Sequence, residues 1–175
     1  MDEDIAVTAE EYSEVLCTWL RMYTEEKAVK TMAKYVGYKM SLFDSDRKLK
    51  FLEELIFVYT ALSCHVSQSI LAGHESYGSI RDSFVKKVER RYSTDLSADD
   101  PDFQTHYSEK LKEYSAVVSE DERQPEVSRI FVRSLPPKGL RKPLKSAALA
   151  AVSFGIFCST LKETLAKHRV VSAPD

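Results

Sequence analysis

At 175 residues the chain is long enough for one domain, which would bury roughly 70% of its unfolded surface. A content of 43% hydrophobic and 30% charged residues excludes a disordered chain, and only 5 glycines and 6 prolines favour helix over strand. The net charge of −2 hides a division: residues 127–169 hold nine Lys/Arg against one acid, Glu163, for +8, whereas residues 1–126 hold sixteen against twenty-five, for −9.

The opening MDEDIAVTAEEYSE is acidic and lacks the basic and apolar regions of a secretory signal. Cys17, Cys64 and Cys158 are odd in number, far apart and each inside a helical pattern. That spacing suits neither a zinc pair nor a disulfide framework, so a reducing, cytoplasmic setting is expected.

In chain order, Thr8 opens TAEE, a capping box in which Glu11 reaches back to the cap. Tyr12, Val15, Leu16, Trp19, Leu20 and Tyr23 then trace one face of a first helix. A second helix is expected with Val29, Met32, Ala33, Val36 and Met40 inward, weakened in its last turn by Gly37. FDSDRK reads as a turn, with Ser45 or Asp46 capping a long third helix that runs to Leu71 and is stopped by Gly73. Its stripe of Leu52, Leu55, Ile56, Tyr59, Leu62, Val66 and Ile70 is widened by Phe51, Phe57 and Val58, which predicts several neighbours.

Ser79 is the expected cap of a fourth helix with Ile80, Phe84, Val88 and Tyr92 inward. STDLSADDPDF has loop composition, and Asp100–Pro101 reads as the cap and first residue of a fifth helix carrying Phe103, Tyr107, Leu111, Tyr114 and Val118. Pro125 starts a short sixth helix holding Val127, Ile130 and Phe131. SLPPKGLRKP cannot be regular helix, and Pro143 suits the first turn of a final helix reaching about His168. No strand alternation, phosphate-binding glycine loop or internal repeat is found, so the chain reads as helical throughout. The expectation is a single-domain, all-α bundle of five to seven helices over 1–175, with short flexible ends at 1–7 and 170–175.

SAALAAVSFGIFCSTL, within the final helix, is the most apolar stretch. Its roughly fifteen uncharged residues, interrupted by serines, fall short of the twenty or so a membrane span needs. Ala147, Ala151, Gly155 and Ser159 fall four apart and form a ridge of small side chains. Leu149, Val152, Phe154, Ile156 and Phe157 occupy the other side, so the helix is apolar all round and is expected to be buried at the bundle's centre. A groove left open for a ligand or a partner helix is the rival reading.

Candidate chemistry is sparse. Cys64 and His65 are adjacent and point about 100° apart on a helix, too far to share a metal. Asp102 and His106 at i, i+4 read as a hydrogen-bonded surface pair, and no carboxylate sits at the ExxH spacing of di-iron bundles. No cofactor motif is present and no catalytic residue is singled out. The better lead is RIFVRSLPPKGLRKPLKS, where Arg129, Arg133, Lys138, Arg141, Lys142 and Lys145 occur with no acid between Val127 and Lys162. Lys142 and Lys145 flank a helix start whose free N–H groups favour an anion. Three functions follow in order. The first is a non-enzymatic module docking a protein partner, a second copy of itself among the candidates, through helix faces. The second is a regulatory protein binding an anion, such as a nucleic acid, through residues 129–145. The third is an enzyme with a site in the bundle core.

Overall fold

The computed structural model describes residues 5–40, 45–96, 103–118 and 124–171, and over these residues the chain is an all-α bundle. The helices are α1 (Ala9–Thr24), α2 (Glu26–Tyr35), α3 (Ser45–Ile70), α4 (Tyr77–Leu96), α5 (Phe103–Ser115), α6 (Pro125–Ser134) and α7 (Pro143–Leu165). A single 3-10 turn, Pro137–Gly139, bridges α6 and α7 where adjacent prolines forbid an α-helix.

Local chemistry explains most boundaries. The Thr8 side chain accepts from the Glu11 N–H at 3.2 Å, and the Thr8 N–H donates to Glu11 Oε2 at 2.7 Å, completing the capping box of α1. Tyr12, Leu16 and Leu20 are its buried ridge, with Trp19 and Tyr23 half-buried beside it. α2 stops at Tyr35 because Gly37 adopts φ +72°, so Met40 lies past the helix rather than on its stripe. α4 begins at Tyr77, two residues before the expected cap, and the Ser79 hydroxyl instead donates to the Ser76 carbonyl at 2.8 Å. It continues to Leu96, so Ser93–Leu96 is helix rather than loop. The Asp100–Pro101 cap and Asp102 lie outside the described residues. Pro125 and Pro143 each open a helix as expected.

α3 is the axis. At 26 residues it is about 39 Å long. It touches all six other helices. From Phe51 to Ser67 nearly every residue is buried, whichever way it faces.

α7 is buried differently. Ser146, Ala150, Phe154, Phe157, Leu161 and Leu165, spaced four, four, three, four and four, form one seam against α3 and α6. Leu144, Val152 and Ile156 are 90%, 48% and 59% exposed. The expectation that this helix is buried all round is therefore corrected: it is a core element along one side only. Ala147, Ala151 and Gly155 flank the seam half-buried and Ser159 faces solvent. By length and composition alone α7 also meets the requirement for a membrane span.

The two ends of the described chain meet. Ile5–Val7 (β1) pairs in parallel with His168–Val170 (β2), with Val7 and Val170 buried. Residues 5–7 and 170 thus have pairing partners within the stretches expected to be flexible. α7 ends at Leu165, short of His168, because the chain must straighten into that pair. Three residues per strand are too few to show alternation in a sequence.

The segment after α2 is clamped to the segment before α7. Tyr38 bridges Leu140, and the Lys39 N–H donates to the Gly139 carbonyl at 2.9 Å. The Tyr38 ring stacks on Phe51, centroids 4.8 Å apart, and lies across Gly139, where an added Cβ would meet it at 2.1 Å. Gly139→Ala is therefore expected to lose about 1–3 kcal/mol, because the ring cannot yield without breaking its stack. Urea denaturation measures this, and an unchanged midpoint would mean the clamp is not packed.

Candidate functional site

A groove of about 500 Å³ lies between α2 and α7, floored by α3. Ala28, Thr31, Met32 and Tyr35 come from one face of α2, while Ser153 and Ile156 come from α7. Tyr59 of α3 and Tyr23 of α1 supply the floor. The walls stay apart because α2 is only ten residues long and packs on α1 and α3 rather than on α7.

Beneath the groove runs a row of rings. Tyr23 meets Phe157 edge-on at 4.8 Å, Phe157 meets Tyr59 at 4.6 Å, and Tyr59 meets Phe154 at 5.8 Å. Phe154, Phe131 and Phe51 then continue to Tyr38 at the clamp. Ring packing of this kind fixes the floor in one arrangement. Burial pushes the Tyr23 and Tyr59 hydroxyls up, so both stay protonated. The charged lining residues, Glu25 and Lys27, are exposed. Such a surface presents apolar side chains and hydroxyls, with Glu25 as the one carboxylate in its lining.

The wall continues beyond the groove. Leu144, Ala148, Val152 and Ile156 fall four residues apart on α7 and are all exposed, an apolar stripe about 18 Å long. Tyr35, 44% exposed, faces it from α2. Three residues after Tyr35, Tyr38 bridges Leu140, so the clamp stands where the stripe begins at the start of α7.

The six basic residues divide here. All six are exposed. Arg129 pairs with Glu126 one turn earlier on α6, and Arg133 pairs with Glu113 of α5 at 3.4 Å. Lys138, Arg141, Lys142 and Lys145 have no ion pair among the described residues. These four gather around the start of α7, where Lys142 as the cap makes no side-chain hydrogen bond. Exposed Lys39, held to Gly139 through its backbone, belongs to the same end and was not singled out by the sequence. Only the clamp brings it there.

A second polar cluster lies between α3 and α5, beside a recess of about 250 Å³ lined by Lys50, His106, Glu109, Lys110 and Glu113. Glu54 is fully buried there, accepting from the Tyr114 hydroxyl at 2.6 Å through Oε2. Its Oε1 makes no hydrogen bond and lies 3.5 Å from Lys50 Nζ and 3.7 Å from Lys110 Nζ. Burial, then the Glu54 charge, drives the Tyr114 phenol far up, so it remains the donor. Each charge meets an opposite one, and the cluster fastens α5 to α3. Two glutamates inside an otherwise apolar run, FLEELIF, are the signal that sequence reading passed over.

The remaining candidates stay separate. Among the described residues no group of three His, Cys, Asp or Glu could hold a metal. Burial pushes the Cys17 thiol up to about 11, and those of Cys64 and Cys158 up to about 12. At neutral pH a thiol near 12 is thiolate in only about one molecule in 10⁵, a poor start for a nucleophile.

Two measurements follow. Glu54→Ala strands the buried Tyr114 hydroxyl, while Lys50 and Lys110 keep Glu53 and Glu113; it should cost about 1–3 kcal/mol, whereas Glu54→Gln keeps an acceptor and should cost less. Equal losses in urea denaturation would remove the hydrogen bond from the explanation. The thiols titrate above their unfolded value near 9, so their contribution is complete below about pH 9 and is lost as pH rises toward 12. The melting temperature should decline through that window, less steeply in Cys64→Ala; a level profile to pH 11 would contradict burial of these thiols.

No family model, curated protein or solved structure matches this chain, so function has to be read from the groove and the charges at its end.

Proposed function

We propose that the chain is a non-enzymatic interaction module of the cytoplasm that docks a protein partner in the groove between α2 and α7. The observation that carries this is the exposure of Leu144, Val152 and Ile156 in line on the most apolar helix of the bundle. Apolar residues aligned at helical spacing beside an open groove mark interaction surfaces more often than single exposed side chains do. Three unpaired thiols, two of them only partly buried, support a reducing compartment.

The anion-binding reading rests on the four cations of residues 138–145 without an ion pair, whereas Arg129 and Arg133 each have an exposed carboxylate partner. Those four adjoin the apolar stripe, which favours one surface with an apolar and a charged part. The enzyme reading asks for convergent His, Cys or carboxylate groups in an apolar tunnel, and the groove lining includes only the exposed Glu25.

The test places a photo-activated cross-linking residue at Val152 and, as control, at exposed Lys86 of α4 in the native host. A discrete protein adduct is expected at 152 and not at 86, and it should vanish when Ile156→Glu is added. Helical circular dichroism should be unchanged by Ile156→Glu, since residue 156 is exposed. Identical adducts at both positions, or one indifferent to Ile156→Glu, would contradict docking in the groove.

A further inference from the structure

We infer that the groove's occupant is an amphipathic helix of a different protein, acidic at its C-terminal end, lying antiparallel to α7. This rests on the docking function proposed above and specifies the partner.

Shape comes first. The groove is a trough between two helices over a third, with Ser153 and Ile156 in its α7 wall, and from Ile156 an exposed apolar row through Val152 and Ala148 to Leu144 carries the surface about 18 Å, three turns, toward the start of α7. A helix with apolar residues at i, i+3, i+4 and i+7 fills such a trough.

Charge sets the direction. Lys138, Arg141, Lys142 and Lys145 stand unpaired at the start of α7 and call for an anionic neighbour. The start of α7 adds the positive end of its own dipole. A partner helix laid antiparallel brings its negative C-terminal end to that place, and acidic side chains there meet all four cations.

The same charges argue against a second copy. Paired in parallel through this face, two α7 helices would set Arg141, Lys142 and Lys145 against themselves. Paired antiparallel, those residues would face Lys162 and Lys167 with Glu163 as the one acid between. Like charges meet in both arrangements. A lipid surface matches the charge but not the shape, because a bilayer offers no ridge to enter a trough.

The experiment displays a library of helical peptides of about sixteen residues, apolar at i, i+3, i+4 and i+7 and randomised at both ends, and sorts it on the intact protein. Enriched peptides should carry Asp or Glu at the C-terminal end, and should fail to bind Ile156→Glu. The quadruple variant Lys138→Gln, Arg141→Gln, Lys142→Gln, Lys145→Gln should bind them at least about tenfold more weakly, with the difference shrinking in high salt. Peptides that require Ile156 yet show no acidic preference, or bind the quadruple variant equally, would overturn this inference and leave the docking function standing. If no selected peptide depends on Ile156, both fall. Vesicles of anionic lipid that bind the wild type, lose the quadruple variant and are not displaced by selected peptides would overturn it in favour of a membrane surface. Selected peptides that drive two copies of the chain apart would overturn it in favour of self-association.

Discussion

Everything in this bundle is arranged around burying α3 on all sides. From Phe51 to Ser67 a helix in contact with six others has almost no solvent face, so its polar groups depend on partners inside the fold, and Ser63 Oγ is left without a hydrogen bond. Thr60 and Ser67 donate back to the carbonyls of Ile56 and Ser63, at 2.7 and 2.8 Å. Glu54 takes Tyr114 and two lysines. Because α3 occupies the centre, each surrounding helix buries mainly the side turned toward it, and this governs what α7 can bury.

α7 is more apolar than its position demands. Its seam from Ser146 to Leu165 closes α3 and α6, and the opposite side stays in solvent. Exposing Leu144, Val152 and Ile156 together gives up burial that would stabilise the fold, at about 25 cal/mol for each Å² left in water. The cations sit where this apolar side begins, and the Tyr38–Gly139 clamp fixes the end of α2 there. An aromatic floor, an apolar wall and a charged end are the features on which the proposed docking rests.

Much of the fold is legible in the sequence. The capping box at Thr8, the 3.6-residue stripes of α1, α4 and α5, the prolines at 125 and 143 and the length of α3 are local signals with local causes. What the sequence conceals is which apolar helix is wrapped. Mean apolarity points to α7, yet α3 is the one surrounded, because its Lys50, Glu53 and Glu54 are paired within the fold. Wrapping depends on what the other helices cover, and no window along the chain holds that information.

The site was half legible for the same reason. The basic segment stood out by composition, but its division into two paired arginines and four free cations requires Glu113, twenty residues before Arg133. The groove itself joins residues from Tyr23 to Ile156, brought together by packing. The β1–β2 pair was invisible because three-residue strands carry no period.

The central claim is that α3 is enclosed and α7 is half open. A nitroxide scan, one label at a time in cysteine-free protein, tests it most directly along residues 52–66 and 144–161. Accessibility to a dissolved relaxation agent should be low and without period along α3. Along α7 it should oscillate every 3.6 residues, with maxima at 144, 148, 152 and 156 and minima at 150, 154, 157 and 161. Uniform protection along α7, with Leu144, Val152 and Ile156 as inaccessible as Phe154, would contradict the account and make α7 the enclosed helix.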